Sequence, residues 1–137
     1  MSRLVTVIPV YNGERFLRAT LESVAAQTRR PDLVIIQDNC STDGTAAIAK
    51  EFESEGFEWC LNEAHVSSTK NFNAALQFAS KADVLHLLTA DDLVVPDFYE
   101  RLLNSLESVD GRALAYAAYE VIDGNGALVQ GGDLVNP

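Results

Sequence analysis

The sequence predicts a doubly wound α/β fold in three layers, with a mostly parallel sheet between two layers of helices. Short apolar runs alternate four times with segments in which apolar residues recur at helical spacing. Of the 137 residues, 47% are hydrophobic and 22% are charged, which is ordinary globular usage within the single-domain range. We therefore expect residues 1–137 to form a single domain with a hydrophobic core.

Each element follows from one of these patterns. The predicted strands are the apolar runs 4–9, 33–36, 57–61 and 84–88. The predicted helices begin after the turn-prone Tyr11-Asn12-Gly13, after the polar loop 37–44, at Ser67 and at Pro96. Ser41 or Thr42 is expected to cap the second helix, which Gly56 ends. Further along, 113–122 and 127–130 are predicted as a strand and a return strand around the turn 123–126.

Composition and charge exclude several classes of protein. The formal net charge of -10 repels polyphosphate backbones, so no nucleic-acid partner is expected. The apolar stretch 82–90 contains two polar residues and is shorter than the ~20 residues of a spanning helix, so no membrane segment is predicted. The first apolar run stops at Pro9, unlike a signal peptide, which favours a cytoplasmic location. Cys40 and Cys60 lack metal-ligand spacing and are interpreted as reduced thiols.

Three polar loops are predicted to meet at one edge of the sheet. Right-handed crossovers place the first strand between the second and the fourth. The loops 9–12, 38–43 and 91–92 then all leave at the carboxyl edge, where such sheets bind ligands. With strands ~4.8 Å apart, the outer two loops lie about 10 Å from each other, and this span suits a nucleoside with its phosphates.

Acidic residues beside phosphates require a counter-ion. A carboxylate and a phosphate charge about 5 Å apart repel each other by roughly 3 kcal/mol at an effective dielectric of 20. A divalent cation held by Asp92 reverses the sign of this interaction, and carboxylate and phosphate oxygens are the ligands that Mg²⁺ and Mn²⁺ prefer. The sequence therefore predicts Mn²⁺ or Mg²⁺ as the cofactor of a nucleotide site.

Four motifs with chemistry-bearing residues occur in order along the chain. They are Val5-Thr6-Val7-Ile8-Pro9-Val10-Tyr11-Asn12-Gly13, Gln37-Asp38-Asn39-Cys40-Ser41-Thr42-Asp43-Gly44-Thr45, Lys70-Asn71-Phe72-Asn73 and Thr89-Ala90-Asp91-Asp92. Together they resemble the ordered signatures of the inverting family-two glycosyltransferases, over about residues 4–110. The resemblance implies the Rossmann-like, glycosyltransferase A-type fold, which binds a nucleotide sugar.

At the base end, the resemblance implies five contact residues. Pro9, Val10, Tyr11 and Asn12 would line the base and the ribose with backbone and side chain. Asp38 would accept a hydrogen bond from the base ring, and uracil would fit such an acceptor. This chain departs from the common Asp-Gly pair at the next two positions, where it has Asn39-Cys40, and the departure bears on base preference.

At the phosphate end of the nucleotide, the resemblance implies four further site residues. Lys70 and Asn71, at the start of the third helix, would reach the diphosphate or the carboxylate cluster, and a helix N-terminus favours anions. Asp91 would contact the ribose or support the metal, and Asp92 would ligate it directly. Thr89 stands where many members have another Asp, and Lys70 where many have Arg, so metal affinity and phosphate contact differ from the common pattern.

The reaction that the resemblance implies is sugar transfer from a nucleoside-diphosphate sugar, here a UDP-sugar, to a saccharide or another hydroxyl acceptor. A carboxylate base deprotonates the acceptor, which attacks the anomeric carbon in line, while the metal neutralises the departing diphosphate and the sugar inverts. In this family the base lies well downstream of the metal motif. We therefore expect the base and the acceptor site beyond Pro137, so that residues 1–137 are a truncated donor-binding part and inactive alone.

Two alternatives stay open from the residues alone. A non-catalytic module that holds a nucleotide sugar would share these motifs. A phosphoacceptor signalling domain of the flavodoxin-like type also clusters carboxylates around Mg²⁺ at strand ends, but it would have an acidic pair where this chain has Tyr11-Asn12. His65, in a loop at the same edge, is interpreted as a solvated side chain, and His86 as a core residue or one bonded to a partner.

Overall fold

The computed structural model describes residues 2–131 as alternating strands and helices. The strands are β1 (Leu4–Val10), β2 (Leu33–Asp38), β3 (Phe57–Leu61), β4 (Val84–Leu87), β5 (Glu120–Ile122) and β6 (Leu128–Gly131). The helices are α1 (Leu17–Ala25), α2 (Thr45–Glu51), α3 (Ser68–Ala75) and α4 (Phe98–Leu106), with 3-10 turns at Phe52–Glu55 and Leu76–Lys81. The chain divides into two compact units, Met1–Leu103 and Asn104–Pro137. The single domain predicted for residues 1–137 stays a prediction.

The first unit is built on a four-stranded sheet with the order β3-β2-β1-β4. All neighbouring strands in it are parallel, and the register pairs Val10 with Asp38 and Val7 with Leu87. The predicted position of β1 between β2 and β4 is therefore confirmed. Because parallel strands end at the same edge, the loops that follow β1, β2, β3 and β4 leave the sheet together. We call this edge with its loops the rim.

Apolar cores on both faces of the sheet produce the three layers. On one face, Ile8 packs in a cluster with Leu17 of α1 and Tyr99 of α4. On the other face, Val7 packs in a cluster with Ala75 of α3. All residues of β1 are buried, as expected for a central strand that is covered on both sides. The predicted doubly wound, Rossmann-like α/β fold in three layers is confirmed.

A buried polar chain crosses the face that α4 covers. The Thr6 hydroxyl donates to the Tyr99 hydroxyl oxygen at 2.9 Å, and His86 Nδ1 lies 3.1 Å from the same oxygen. The Tyr99 O–H can donate to Nδ1 of a neutral imidazole that carries its proton on Nε2. Burial lowers the pKa of His86 to about 4 and raises the pKa of Tyr99. The interpretation of His86 as a partner-bonded residue is confirmed.

The start of α2 differs from the prediction. The helix begins at Thr45 after Gly44, and neither Ser41 nor Thr42 caps it. Asp43 instead accepts hydrogen bonds from the backbone N–H and the hydroxyl of Thr45 at 3.0 and 2.5 Å. Partial burial alone would raise the pKa of Asp43, but these bonds outweigh it and hold the pKa below its usual value. At the other end, Gly56 stops the helical segment at φ 84, as predicted.

The second unit contains a shorter strand than predicted. Of the predicted strand 113–122, only Glu120–Ile122 pairs, antiparallel with Leu128–Gly131. Residues 113–119 have no regular structure in the described chain, because this alanine-rich stretch has low strand propensity and no partner strand there. The predicted turn is confirmed, since Asp123 accepts the N–H groups of Ala127 and Asn125, and these bonds lower its pKa. Within residues 2–131, no helix is long and apolar enough to cross a bilayer.

Candidate nucleotide-binding site

The loops after β1 and β2 are joined into one surface by hydrogen bonds. The Asn12 N–H donates to the Ser41 hydroxyl oxygen at 2.9 Å, and Asn12 Oδ1 accepts the N–H of Thr42 at 2.8 Å. One residue further on, the Gly13 N–H donates to the Thr45 hydroxyl oxygen at 2.9 Å. The Ser41 hydroxyl and the Thr42 N–H thus hold Asn12, which has left-handed backbone at φ 49, although the sequence assigned Ser41 or Thr42 to a helix cap.

The loop after β4 approaches the same place. A Cβ added at Gly13 would clash with Val10 Cγ2 at 2.6 Å and would lie in ordinary van der Waals contact with Ala90 Cβ at 3.9 Å, so the loops after β1 and β4 pass close to each other here. The carbonyl oxygen of Ala90 accepts a hydrogen bond from the hydroxyl of Thr20 in α1 at 3.0 Å. Residues 11–14, 39–44 and 62–66 form what we call the β3 side of the rim, and residues 88–95 form the β4 side.

The β4 side presents an exposed acidic pair. Asp91 and Asp92 are both exposed, and they follow the strand in a turn closed by the Asp92 N–H on the Thr89 carbonyl at 3.2 Å. The Thr89 hydroxyl, in the place of the missing third Asp, donates to the Asp92 carboxylate. Residues 2–131 contain no group of three or more His, Cys, Asp or Glu that could hold a metal by itself. Two carboxylates do fit Mg²⁺ or Mn²⁺ when substrate phosphates complete the shell.

Helix α1 and the segment directly after it hold the β4 side from behind. The Ser23 hydroxyl oxygen accepts the Val94 N–H at 3.2 Å. Gln27 donates to the Val95 carbonyl at 2.6 Å and accepts the Tyr99 N–H at 3.2 Å. Sequence reasoning missed these positioning residues. The available signal was polar side chains at positions 20, 23 and 27, which share one face of a helix at i, i+3 and i+7.

Asp38 lies beneath the rim. Its side chain is 1% exposed, Oδ1 accepts the Ser41 N–H at 2.9 Å, and Oδ2 accepts the Trp59 indole N–H at 3.2 Å. Both oxygens therefore shape the loop after β2. The predicted contact between Asp38 and a base stays a prediction.

The loop after β3 is held in the rim by side-chain contacts that the sequence did not indicate. Asn39 is 2% exposed, and its amide group bonds both the carbonyl and the N–H of Val66, at 2.7 and 2.9 Å. Asn62 donates to Asn39 Oδ1 at 3.1 Å and to Asn71 Oδ1 at 2.8 Å. These buried amides tie β2, the loop after β3 and α3 together.

The nine predicted site residues lie at different depths. Pro9, Val10, Asp38 and Asn71 are buried, whereas Tyr11, Asn12, Lys70, Asp91 and Asp92 are exposed. Lys70 lines a groove of about 360 Å³ beside α3, together with Glu63 and Ala74. No hydrogen bond or ion pair between described residues joins Lys70 to the acidic pair. The structure thus brings Tyr11 and Asn12 to the rim with Asp91 and Asp92, and it places Lys70 in a separate groove.

Tyr11 and His65 form an aromatic pair on the β3 side. The Tyr11 side chain is 50% exposed, and its ring centroid lies 4.5 Å from that of His65 at an interplanar angle of 49°. His65 Nδ1 lies 3.1 Å from the Asn39 carbonyl oxygen. His65 is exposed, as interpreted from the sequence, and partners from two other loops hold its ring in place.

The fold and the acidic turn after β4 define a Rossmann-like α/β domain of the type that glycosyltransferases share. The sequence model of Glycosyl transferase family 2 matches residues 5–131. The chain belongs to this family, so the predicted family is confirmed.

Three similar proteins illustrate the relationship. An uncharacterized glycosyltransferase of Rickettsia typhi is 29% identical over 118 residues, which cover 85% of this chain and 36% of that protein. The crystal structure of S. aureus TarS with UDP-GlcNAc superposes with a TM-score of 0.68 at 22% identity, covering 88% of this chain and 40% of that one. Glucosyl-3-phosphoglycerate synthase from Mycobacterium tuberculosis, crystallised with Mn²⁺, UDP and glucosyl-3-phosphoglycerate, gives a TM-score of 0.61 at 18% identity, covering 80% and 41%. This chain thus spans 36% to 41% of these three chains.

Proposed function

We propose that this chain is the donor-binding part of an inverting glycosyltransferase that uses a UDP-sugar and Mn²⁺ or Mg²⁺. One observation carries the proposal. The exposed pair Asp91 and Asp92 lies at the same sheet edge as the exposed Tyr11 and Asn12, one strand away. A nucleotide lying across β1 reaches both, with its phosphates toward the carboxylates and its base toward the aromatic ring.

The acidic pair determines how phosphates bind. Without a cation, Asp91 and Asp92 repel a diphosphate by roughly 3 kcal/mol for each charge pair about 5 Å apart. Asp92, oriented by the Thr89 hydroxyl, offers a carboxylate oxygen to the metal, and Asp91 supports the metal or contacts the ribose. The bound metal supplies charge neutralisation of the diphosphate leaving group. The Mn²⁺ and UDP in the synthase crystal, and the UDP-GlcNAc in the TarS crystal, support this choice of cofactor and nucleotide.

The remaining predicted contacts fit the same placement of the nucleotide. Pro9 and Val10 are buried, so they contribute to the base and ribose pocket through the backbone that leads into Tyr11. Lys70 is exposed in the groove beside α3, and in this proposal its long side chain extends out of the groove to reach the diphosphate. Asn71 acts through Asn62, which it holds at 2.8 Å.

Transfer itself requires groups outside the donor site. In the proposed reaction, a carboxylate base takes the proton of an acceptor hydroxyl, of a saccharide or another compound, and the hydroxyl attacks the anomeric carbon with inversion. Within the described residues no side chain is assigned this role, and we place the base beyond Pro137. The activity, donor sugar and acceptor of the whole protein are therefore part of this proposal.

Thermal unfolding with uridine, guanosine and thymidine diphosphates, each with and without Mn²⁺, tests the donor site. At 100 times the dissociation constant, a ligand stabilises the chain by about 2.7 kcal/mol, or roughly 5 to 15 °C. We expect this shift with UDP only when Mn²⁺ is present, and its loss in Asp92→Asn.

The matched control is Asp110→Asn, which removes the same charge from an exposed position in the second unit. It should keep the full shift. The absence of a metal-dependent shift with all three diphosphates would reject the site, and an equal shift in Asp92→Asn would reject the assigned metal ligand.

A further inference from the structure

Helix α1 anchors the backbone on both sides of the acidic pair. The Thr20 hydroxyl donates to the Ala90 carbonyl oxygen at 3.0 Å, directly before the pair. The Ser23 hydroxyl oxygen accepts the N–H of Val94 at 3.2 Å, two residues after the pair. Residues 91–93 lie between these two anchors, so both carboxylates are carried by a short segment whose ends are tied to one helix.

Both anchoring hydroxyls have a defined orientation. The Ser23 O–H donates to the Thr20 carbonyl oxygen at 2.7 Å within the helix, which leaves the Ser23 oxygen free to accept the Val94 N–H. The Thr20 side chain is 0% exposed, and its hydroxyl lies nearer to the carbonyl of Ala90 than to that of Phe16, which is 3.4 Å away. The two bonds are therefore specific constraints on the backbone of the β4 side.

The acidic turn supplies few restraints of its own. The Asp92 N–H closes it on the Thr89 carbonyl at 3.2 Å, and the Thr89 hydroxyl donates to the Asp92 carboxylate. Asp91 and Asp92 are exposed, so core packing does not fix their side chains. The position of the backbone beneath the pair therefore depends on the bonds from α1, while the carboxylates stay open to a cation.

Metal binding is sensitive to such support. Mg²⁺ requires near-ideal octahedral geometry, so two protein carboxylates and a diphosphate can share it only at a defined separation. Groups that orient metal ligands without contacting the metal typically change metal affinity by about tenfold to a hundredfold. We propose that Thr20 and Ser23 are positioning residues of the metal site, which strengthen metal–diphosphate binding by fixing the backbone that carries the acidic pair. This inference rests on the proposed function.

Titration calorimetry of the full chain with UDP at saturating Mn²⁺ tests the two anchors. Thr20→Val keeps the shape of the side chain and removes the hydroxyl, and Ser23→Ala removes the second anchor. We expect each variant to bind Mn²⁺–UDP about tenfold more weakly than the wild type. Thr20→Ser restores the hydroxyl without the methyl group and should recover most of the affinity. Ser23 is only partly buried, so Ser23→Ala tests the proposal even if Thr20→Val does not fold.

Thr28→Val is the matched control. It is the same substitution as Thr20→Val, and it also removes a hydroxyl bond to the segment after β4, because Thr28 donates to the Glu100 carboxylate at 2.8 Å. That bond lies away from the acidic pair, so Thr28→Val should keep the wild-type affinity for Mn²⁺–UDP.

Uridine separates the metal site from the rest of the donor site. It has no phosphates, so its binding does not involve the metal, and a nuclear magnetic resonance titration without Mn²⁺ measures it. We expect the uridine affinity of Thr20→Val and Ser23→Ala to equal that of the wild type. A merely structural role of the two hydroxyls would instead weaken uridine and Mn²⁺–UDP by the same factor.

The outcomes distinguish this inference from the proposed function. If the wild type binds Mn²⁺–UDP and both Thr20→Val and Ser23→Ala bind it equally well, the role of the two hydroxyls is overturned and the donor site stands. An equal loss in Thr28→Val, or an equal loss of uridine affinity, would overturn that role as well. Failure of the wild type to bind UDP with Mn²⁺ would overturn the donor site together with this inference.

Discussion

The two sides of the rim use aspartate in opposite ways. Beneath the β3 side, at the end of β2, Asp38 is 1% exposed, and both of its carboxylate oxygens accept hydrogen bonds from the protein. On the β4 side, Asp91 and Asp92 are exposed, and Asp92 accepts a bond from Thr89. The side-chain chemistry is the same. Burial and the number of nearby donors decide whether a carboxylate builds a loop or stays available to a cation.

The backbone differs between the two sides as well. Among residues 2–131, the non-glycine residues with left-handed backbone are Asn12 at φ 49 and Cys40 at φ 61, and both lie at or beside the β3 side. The β4 side is an ordinary turn that Ser23 and Gln27 hold from behind. Strained backbone persists where surrounding contacts determine it. The β3 side is therefore a preformed surface, whereas the β4 side is an open pair of ligands.

Removing each carboxylate is the strongest test of this contrast. Asp38→Ala should lower the free energy of unfolding by about 4 kcal/mol, because two hydrogen bonds to a charged acceptor are lost at about 1.5–3 kcal/mol each. Asp92→Ala should lower it by less than about 0.5 kcal/mol, as expected of an exposed position. Urea denaturation of the metal-free chain measures both, and equal losses would contradict the division of roles.

Lowering the pH tests whether His86, in the strand that leads to the β4 side, is buried as a neutral group. The pKa of His86 is about 4 in the folded chain because burial disfavours its charged form, against 6.5 for an exposed imidazole. Between these values the unfolded chain binds a proton that the folded chain does not. Stability due to this group is therefore complete above pH 6.5 and falls as the pH drops toward about 4, by about 3 kcal/mol in total.

The variant His86→Gln separates the effect of His86 protonation from that of the carboxyl groups that also titrate at low pH. Its amide oxygen can accept from the Tyr99 hydroxyl, which lies 3.1 Å from His86 Nδ1, and it does not titrate. Denaturation curves of the two chains between about pH 4 and pH 8 should diverge, with the wild type losing more stability toward low pH. Parallel curves would show that His86 is not buried as a neutral group.

The sequence predicted the rim because periodicity and handedness are sufficient for it. Apolar runs such as 4–9 and 33–36 identify buried parallel strands, and right-handed crossovers then order them, which puts 9–12, 38–43 and 91–92 on one edge. The hydrogen-bond partners of the rim side chains could not be predicted in this way, because they come from distant parts of the sequence. Ser41 and Thr42 have the residue types of a helix cap. Nothing in the neighbouring sequence shows that they instead form hydrogen bonds with Asn12, which lies 29 residues before Ser41 and 30 before Thr42.

The burial of Asp38 and the contacts of His65 could not be predicted from the sequence for the same reason. Asp38 is buried against the indole of Trp59, 21 residues later, and His65 is held by Asn39, 26 residues earlier. Both contacts depend on the pairing of β2 with β3, which brings residues far apart in the sequence together. An Asp and a His in polar loops are typical of solvated side chains until such partners are known.

The smallest expected effect concerns the strain on the β3 side. Cys40 has φ 61, where a side chain costs about 1–2 kcal/mol and glycine costs little. Cys40→Gly and Cys40→Ala both lose the thiol contact to the Asn62 carbonyl at 3.3 Å, so their difference reports the backbone. Glycine also gives the unfolded chain more freedom, which offsets part of the gain. We expect Cys40→Gly to be about 1 kcal/mol more stable than Cys40→Ala in urea denaturation. If the two are equally stable, the loop after β2 is not strained at this residue, and the preformed character of the β3 side comes from its hydrogen bonds alone.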